Sequence, residues 1–141
     1  MEITTALLCD AATVREGLLH VLGGGLTRLW RAELPAPLGV TLALSVALGE
    51  GEFDVPHEVQ IDISNPAGYV ARAMGGLQAP RPSNLEPGER LLAPVVQPLG
   101  IIPTGSYGAH VLAISLDAGA ASAELQFWVL HPDEQALPPL A

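Results

Sequence analysis

From Val40 to Leu48 the chain alternates without a break. Val40, Leu42, Leu44, Val46 and Leu48 project one way; Thr41, Ala43, Ser45 and Ala47 project the other. An extended strand turns successive side chains to opposite faces, whereas a helix needs apolar positions three and four apart. The segment therefore reads as a strand with its heavier face on a core. Residues 58–64 repeat the pattern, with Val59, Ile61 and Ile63 set against Glu58, Gln60, Asp62 and Ser64. Asn65-Pro66-Ala67-Gly68 then supplies turn chemistry, and Tyr69–Met74 resumes the alternation, so 57–74 is a predicted hairpin.

The other segments follow the same period. Ile3–Asp10, Leu18–Leu22 and Leu26–Leu34 are predicted strands, while Ala11–Arg15 reads either as a strand or as one helical turn capped by Asp10. Pro80, Pro82, Pro87, Pro94, Pro98 and Pro103 crowd the next stretch. Proline cannot donate to a ladder, so the strand placed at 91–97 belongs at an edge and 75–88 is predicted loop. The last hairpin runs from Tyr107–Leu116 through Asp117-Ala118-Gly119 into Ser122–Leu130. On its second strand Leu125, Phe127 and Val129 share one face and Trp128 takes the other. On its first strand Leu112, Ile114 and Leu116 compete with Tyr107, Ala109 and Val111, a conflict that a bulge would reconcile. About nine short strands without a convincing helix predict an all-β sandwich or barrel. Gly105-Ser106-Tyr107, entering a late strand, fits the corner tyrosine of immunoglobulin-like sandwiches, whose hydroxyl bonds nearby backbone. The expected fold is a single immunoglobulin-like antiparallel β-sandwich over 1–131, followed by a flexible tail at 132–141.

Charge narrows the functions. The chain has 141 residues, enough for one domain, and a net charge of −9, with six arginines and no lysine. Nucleic-acid binding rests on cations displacing counterions from phosphates, so neither nucleic acid nor an anionic membrane is an expected partner. Lysine-based Schiff-base and P-loop chemistry is excluded. No apolar run approaches the ~18 residues of a membrane span. The opening Met1-Glu2-Ile3-Thr4-Thr5 lacks the positive region of a secretory signal, and the one cysteine, Cys9, has no internal partner. The expected location is the cytoplasm.

Ala6-Leu7-Leu8-Cys9-Asp10-Ala11, followed by Gly17-Leu18-Leu19-His20-Val21-Leu22-Gly23-Gly24, carries a resemblance. So do Leu34-Pro35, Asn65-Pro66-Ala67-Gly68 and Gly105-Ser106-Tyr107. Over about residues 3–130 the chain resembles a bacterial family of short single-domain β-sandwich proteins known only as a domain of unknown function. It departs at Leu18, where the family pattern has a lysine. The resemblance implies the immunoglobulin-like sandwich and carries over no reaction, ligand or catalytic residue.

Little else in the chain points to catalysis. The serines lack a Gly-x-Ser-x-Gly elbow, and Gly23-Gly24-Gly25 is not a dinucleotide fingerprint but a turn or bulge. His20, His57, His110 and His131 show no zinc-ligand spacing. Cys9, inside an apolar run with no basic neighbour close in sequence, reads as a buried small hydrophobe. The acidic loop 49–58 offers carboxylates to calcium but matches no calcium-loop spacing, and reads first as a solvated connection. Trp30, between Arg28 and Arg31, and the outward Trp128 have the composition of interface hot spots. The small outward residues at 41–47 suggest a covered face, under either a second subunit or the 75–88 loop. These readings predict a non-catalytic protein-interaction or structural module without metal or cofactor, self-associating through its tryptophan-bearing sheet, with Arg28, Trp30 and Trp128 as the interface. The alternative is a small-ligand or calcium-binding domain using 49–58.

Overall fold

A computed structural model describes residues 1–134, with the backbone alone at Val70 and Glu134. It is all-β. Twelve strands run in order: β1 (Glu2–Cys9), β2 (Ala11–Arg15), β3 (Leu18–Leu22), β4 (Arg28–Trp30), β5 (Ala36–Pro37), β6 (Thr41–Leu48), β7 (His57–Asn65), β8 (Gly68–Leu77), β9 (Leu91–Pro98), β10 (Pro103–Thr104), β11 (Gly108–Leu116) and β12 (Ala121–Leu130). They form a three-stranded sheet, β1-β6-β9, and a five-stranded sheet, β4-β12-β11-β7-β8. A β2–β3 hairpin and a two-residue β5–β10 pair complete the set. Pro132–Glu134 form a single 3-10 turn; the rest of the expected tail lies outside the described residues.

Both large sheets turn their heavy faces onto one core. Leu42, Leu44, Val46 and Leu48 of β6 meet Val59, Ile61 and Ile63 of β7, Leu112, Ile114 and Leu116 of β11, and Phe127 and Val129 of β12. Each is essentially inaccessible, and each such side chain contributes roughly 1.5–3 kcal/mol by leaving water. The competition on β11 resolves toward the heavier set: His110, Leu112, Ile114 and Leu116 point inward. No bulge is involved, since β11 pairs with β7 and β12 in unbroken register.

The ladder departs from expectation in specific places. Ala11–Arg15 is a strand, not a helical turn, because it pairs residue for residue with Leu18–Leu22. The predicted strand 26–34 contracts to Arg28–Trp30. Arg31 ends it, turning its guanidinium onto the carbonyls of Trp30, Pro37 and Leu38 and drawing the chain off the sheet. The sheets are not antiparallel throughout, for β4 pairs with β12 in parallel. It arrives from the β2–β3 hairpin through Gly23-Gly24-Gly25, so no tight turn from β12 dictates its direction. The loop expected from residue 75 starts later, because β8 continues to Leu77.

The outer face of β6 is covered from within the chain. Ala43 and Ala47 are buried, and the β2–β3 hairpin lies against β6 and β9. Leu7, opposite Ala43 in the register, comes close to the Gly24 turn that follows the hairpin. Over Ala47, Arg90 bonds the Ala47 carbonyl at 3.4 Å and Glu2 at 3.1 Å. Neither a second subunit nor the 75–88 loop is needed to explain the small residues there.

Candidate functional site

Arg28 and Trp30 are paired with β12: Trp128 stands opposite Arg28, and Leu130 opposite Trp30. Residues opposite one another on neighbouring strands share a face. Leu29, between them, is buried, so Arg28 and Trp30 point outward with Trp128. The three residues singled out from sequence therefore lie together on the outer face of the five-stranded sheet. Trp128 is 39% exposed, Trp30 is half-buried and Arg28 exposed. The Arg28 guanidinium carbon sits 5.8 Å from the Trp30 ring centroid, within cation–π range. Beside them β11 presents Ala109 opposite Trp128 and Val111 opposite Gln126, so the aromatic rings border a low, weakly apolar floor. Arg31 is not part of this surface; its nitrogens are spent on backbone carbonyls. At one border of the face the Tyr107 hydroxyl donates to the Arg31 carbonyl at 2.8 Å. The expected corner tyrosine thus ties β11 to the end of β4 rather than to backbone near it in sequence.

The acidic loop has a different organisation. Glu50 receives both arms of Arg81 at 2.9 Å, and that guanidinium holds its carboxyl below the ordinary range. Glu52 accepts from the Gly49 amide at 2.9 Å and lies 2.7 Å from the α-amino nitrogen of Met1. Burial opposes its ionisation, but these donors outweigh that and keep its pKa low. Asp54 accepts from the Arg81 amide at 3.2 Å. The carboxylates are thus drawn to separate donors rather than into one oxygen cage, and among the described residues no three His, Cys, Asp or Glu side chains converge on a point that could hold a metal. Calcium is accordingly expected to leave Tm unchanged, whereas a ligand of the native state would raise it. An open groove of about 650 Å³ beside this loop is lined by Glu50, Arg81 and Arg90. Arg81 is paired to Glu50 and Arg90 to Glu2.

Two histidines organise the interior in a way the spacing did not reveal. His57 is buried. Its Nδ1 lies 2.6 Å from Asp117 Oδ2, and its Nε2 lies 2.7 Å from the Glu52 carbonyl. Both partners accept, so the two bonds are made together only when both ring nitrogens carry a proton, in the imidazolium form. The Asp117 bond, helped by the Glu52 carbonyl and opposed by burial, raises its pKa. Asp117 also accepts the Glu58 amide at 2.8 Å, and its own pKa is lowered, chiefly by His57. One side-chain pair thereby joins the acidic loop, the start of β7 and the β11–β12 turn. His110, fully buried, stacks on Phe127 with ring centroids 5.0 Å apart. Its Nδ1 donates to the Gly108 carbonyl at 3.0 Å, which leaves Nε2 to accept from the Thr104 hydroxyl at 2.8 Å. His57 and Asp117 stand sixty positions apart, so no local motif could have flagged them.

Cys9 is fully buried, with Sγ donating to the Thr41 carbonyl at 3.4 Å. Burial first, and Asp10 second, push its thiol pKa up, away from thiolate reactivity. No helix among the described residues is long and apolar enough to cross a membrane. No curated protein and no solved structure matches the chain. A family model does match it over residues 4–129, and the chain belongs to that family, DUF6941, a family of unknown function.

Proposed function

We propose that this chain is an immunoglobulin-like β-sandwich acting as a non-catalytic protein-interaction module, with Arg28, Trp30 and Trp128 as its binding face. The observation that carries this reading is the β4–β12 register, which sets the three residues side by side on one outer sheet face. The tryptophans offer large contact area at low entropic cost, and tryptophan and arginine together dominate interface energetics. The buried, weakly acidic Cys9 is compatible with a reducing compartment, and we place the protein in the bacterial cytoplasm. The test is affinity capture from the native host with wild type and the Trp30→Ala/Trp128→Ala double variant in parallel. Wild type is expected to retain a stoichiometric protein that the variant loses. Truncating a hot-spot tryptophan costs about 2 kcal/mol or more, roughly thirtyfold in Kd for each. Equal capture by both proteins would refute this face as the binding surface.

A further inference from the structure

The exposed strand edges differ sharply in how well they resist a foreign strand. In the three-stranded sheet, β9 carries Pro94 and Pro98, and β1 has a register shift between Ile3 and Thr5. At one end of the five-stranded sheet, β4 is only three residues long. At the other end β8 runs for ten residues without a proline. Its bulge is confined to the region opposite Ile63 and Ser64, and from Ala71 to Leu77 the ladder with β7 is regular. Among the described residues, no backbone group of 68–77 bonds to any segment other than β7. The strand's one charge, Arg72, is drawn back across the sheet to Asp62 at 2.6 Å, and Met74 is 49% exposed. Natural edges are normally blunted by proline, lysine, shortness or a bulge; β8 has only the bulge near its start, and its stretch from Ala71 to Leu77 has none of these.

We propose that β8 is where two copies of this chain join, antiparallel, about a two-fold axis at Ala73. A two-fold interface must be self-complementary, and an antiparallel pairing of one strand with itself meets that condition by construction. Side chains select the register. A centre at Arg72 would set two guanidinium groups directly opposite, which is destabilising. A centre at Ala73 sets Arg72 opposite the partner's Met74, and Met74 opposite the partner's Arg72. The aliphatic stem of each arginine then covers the exposed thioether, while Asp62 keeps the charge compensated. On the core-facing side this register matches Ala71 with the partner's Gly75, side chains small enough not to collide. The product is one sheet of ten strands shared by two molecules. The tryptophan face lies at the opposite end of each five-stranded half and stays free, so this inference does not depend on the proposed binding face.

Sedimentation velocity of the full chain tests it, using wild type, Met74→Lys, Met74→Glu and the Trp30→Ala/Trp128→Ala variant. Met74 is a surface residue, so neither substitution there disturbs the core; matching melting curves verify this. Wild type is expected to show a reversible monomer–dimer equilibrium. M74K places a lysine opposite an arginine twice over and is expected to raise Kd about tenfold. M74E meets the arginine with a carboxylate and is expected to lower Kd, while the tryptophan variant leaves it unchanged. Ala73→Cys is expected to form an interchain disulfide under mild oxidation, since the two-fold brings the paired residues within bonding range. A wild type that stays monomeric to its solubility limit would overturn the proposal. So would equal shifts from M74K and M74E, or a dimer lost in the tryptophan variant but not in M74K.

Discussion

Replacing His110 with alanine is expected to lower stability by about 3–4 kcal/mol, the largest loss foreseen for a single polar side chain here. The ring is fully buried and lies nearly parallel to Phe127, at 29° between planes. Truncation leaves a cavity and removes that stack. It also leaves the Gly108 carbonyl without its ring partner and the Thr104 hydroxyl with only the Ser106 carbonyl, 3.4 Å away. For a domain of this size the loss corresponds to a fall in Tm of roughly 10 °C, readable by calorimetry or urea titration. His110→Phe separates the contributions. It keeps the stack and most of the volume but loses both hydrogen bonds, while Thr104 can turn to the Ser106 carbonyl 3.4 Å away. It should cost only about 1–2 kcal/mol. Equal losses from the two variants would mean that the polar bonds, not the packing, hold this position.

Asp117→Asn should lower stability by about 2 kcal/mol near pH 6, and most of that loss should vanish in alkaline solution. Asp117 is 36% exposed, so solvent screening keeps the effect toward the low end of what breaking a buried pair costs. The pH dependence follows from the direction of each shift. His57 has its pKa raised above the ordinary 6.5 in the fold. Below 6.5 folded and unfolded chains both hold the proton, and the stabilisation is fully present. As pH rises through 6.5 the unfolded chain releases its proton first, and stability declines until the folded histidine also titrates. Asp117 has its pKa lowered below the ordinary 3.8. Its contribution is present above that value and is lost as the pH falls through the folded pKa. Wild-type Tm should therefore fall as the pH climbs from 6.5 through the folded pKa of His57. D117N should flatten that slope. A wild-type slope retained in the variant would show that another group carries the alkaline transition.

Much of the ladder was legible in the chain, and the reason is local. In β6 the inward residues, and in β7 all of them but His57, could be named beforehand, because the pleat reverses a side chain at each step and alternation therefore records the face directly. The same logic put Phe127 inside and Trp128 outside. It failed where a strand's extent depends on distant groups. Leu26–Leu34 has the composition of a long strand, yet Arg31 finds the carbonyls of Pro37 and Leu38 and ends it after Trp30. In β11 a rival set, Tyr107, Ala109 and Val111, left the face open beside the heavier Leu112, Ile114 and Leu116, and only the opposing sheet selects the latter. Arg28, Trp30 and Trp128 were singled out by residue type; that they share a face follows from a parallel pairing between segments about a hundred residues apart, which no local period encodes.

Alternation and turn chemistry determined by themselves that this chain is all-β, which apolar side chains of β6, β7 and β12 face the core, and where the hairpins after Asn65 and Leu116 reverse, since each is a property of a few consecutive residues. Tertiary structure alone decided which strand lies beside which, that the β2–β3 hairpin covers the outer face of β6, that His57 meets Asp117, and that β8 is left as the long, proline-free edge. These are pairings between positions remote in sequence. A strand's alternation states which of its faces is dry but not what dries it, and that partner is chosen only when the whole core closes.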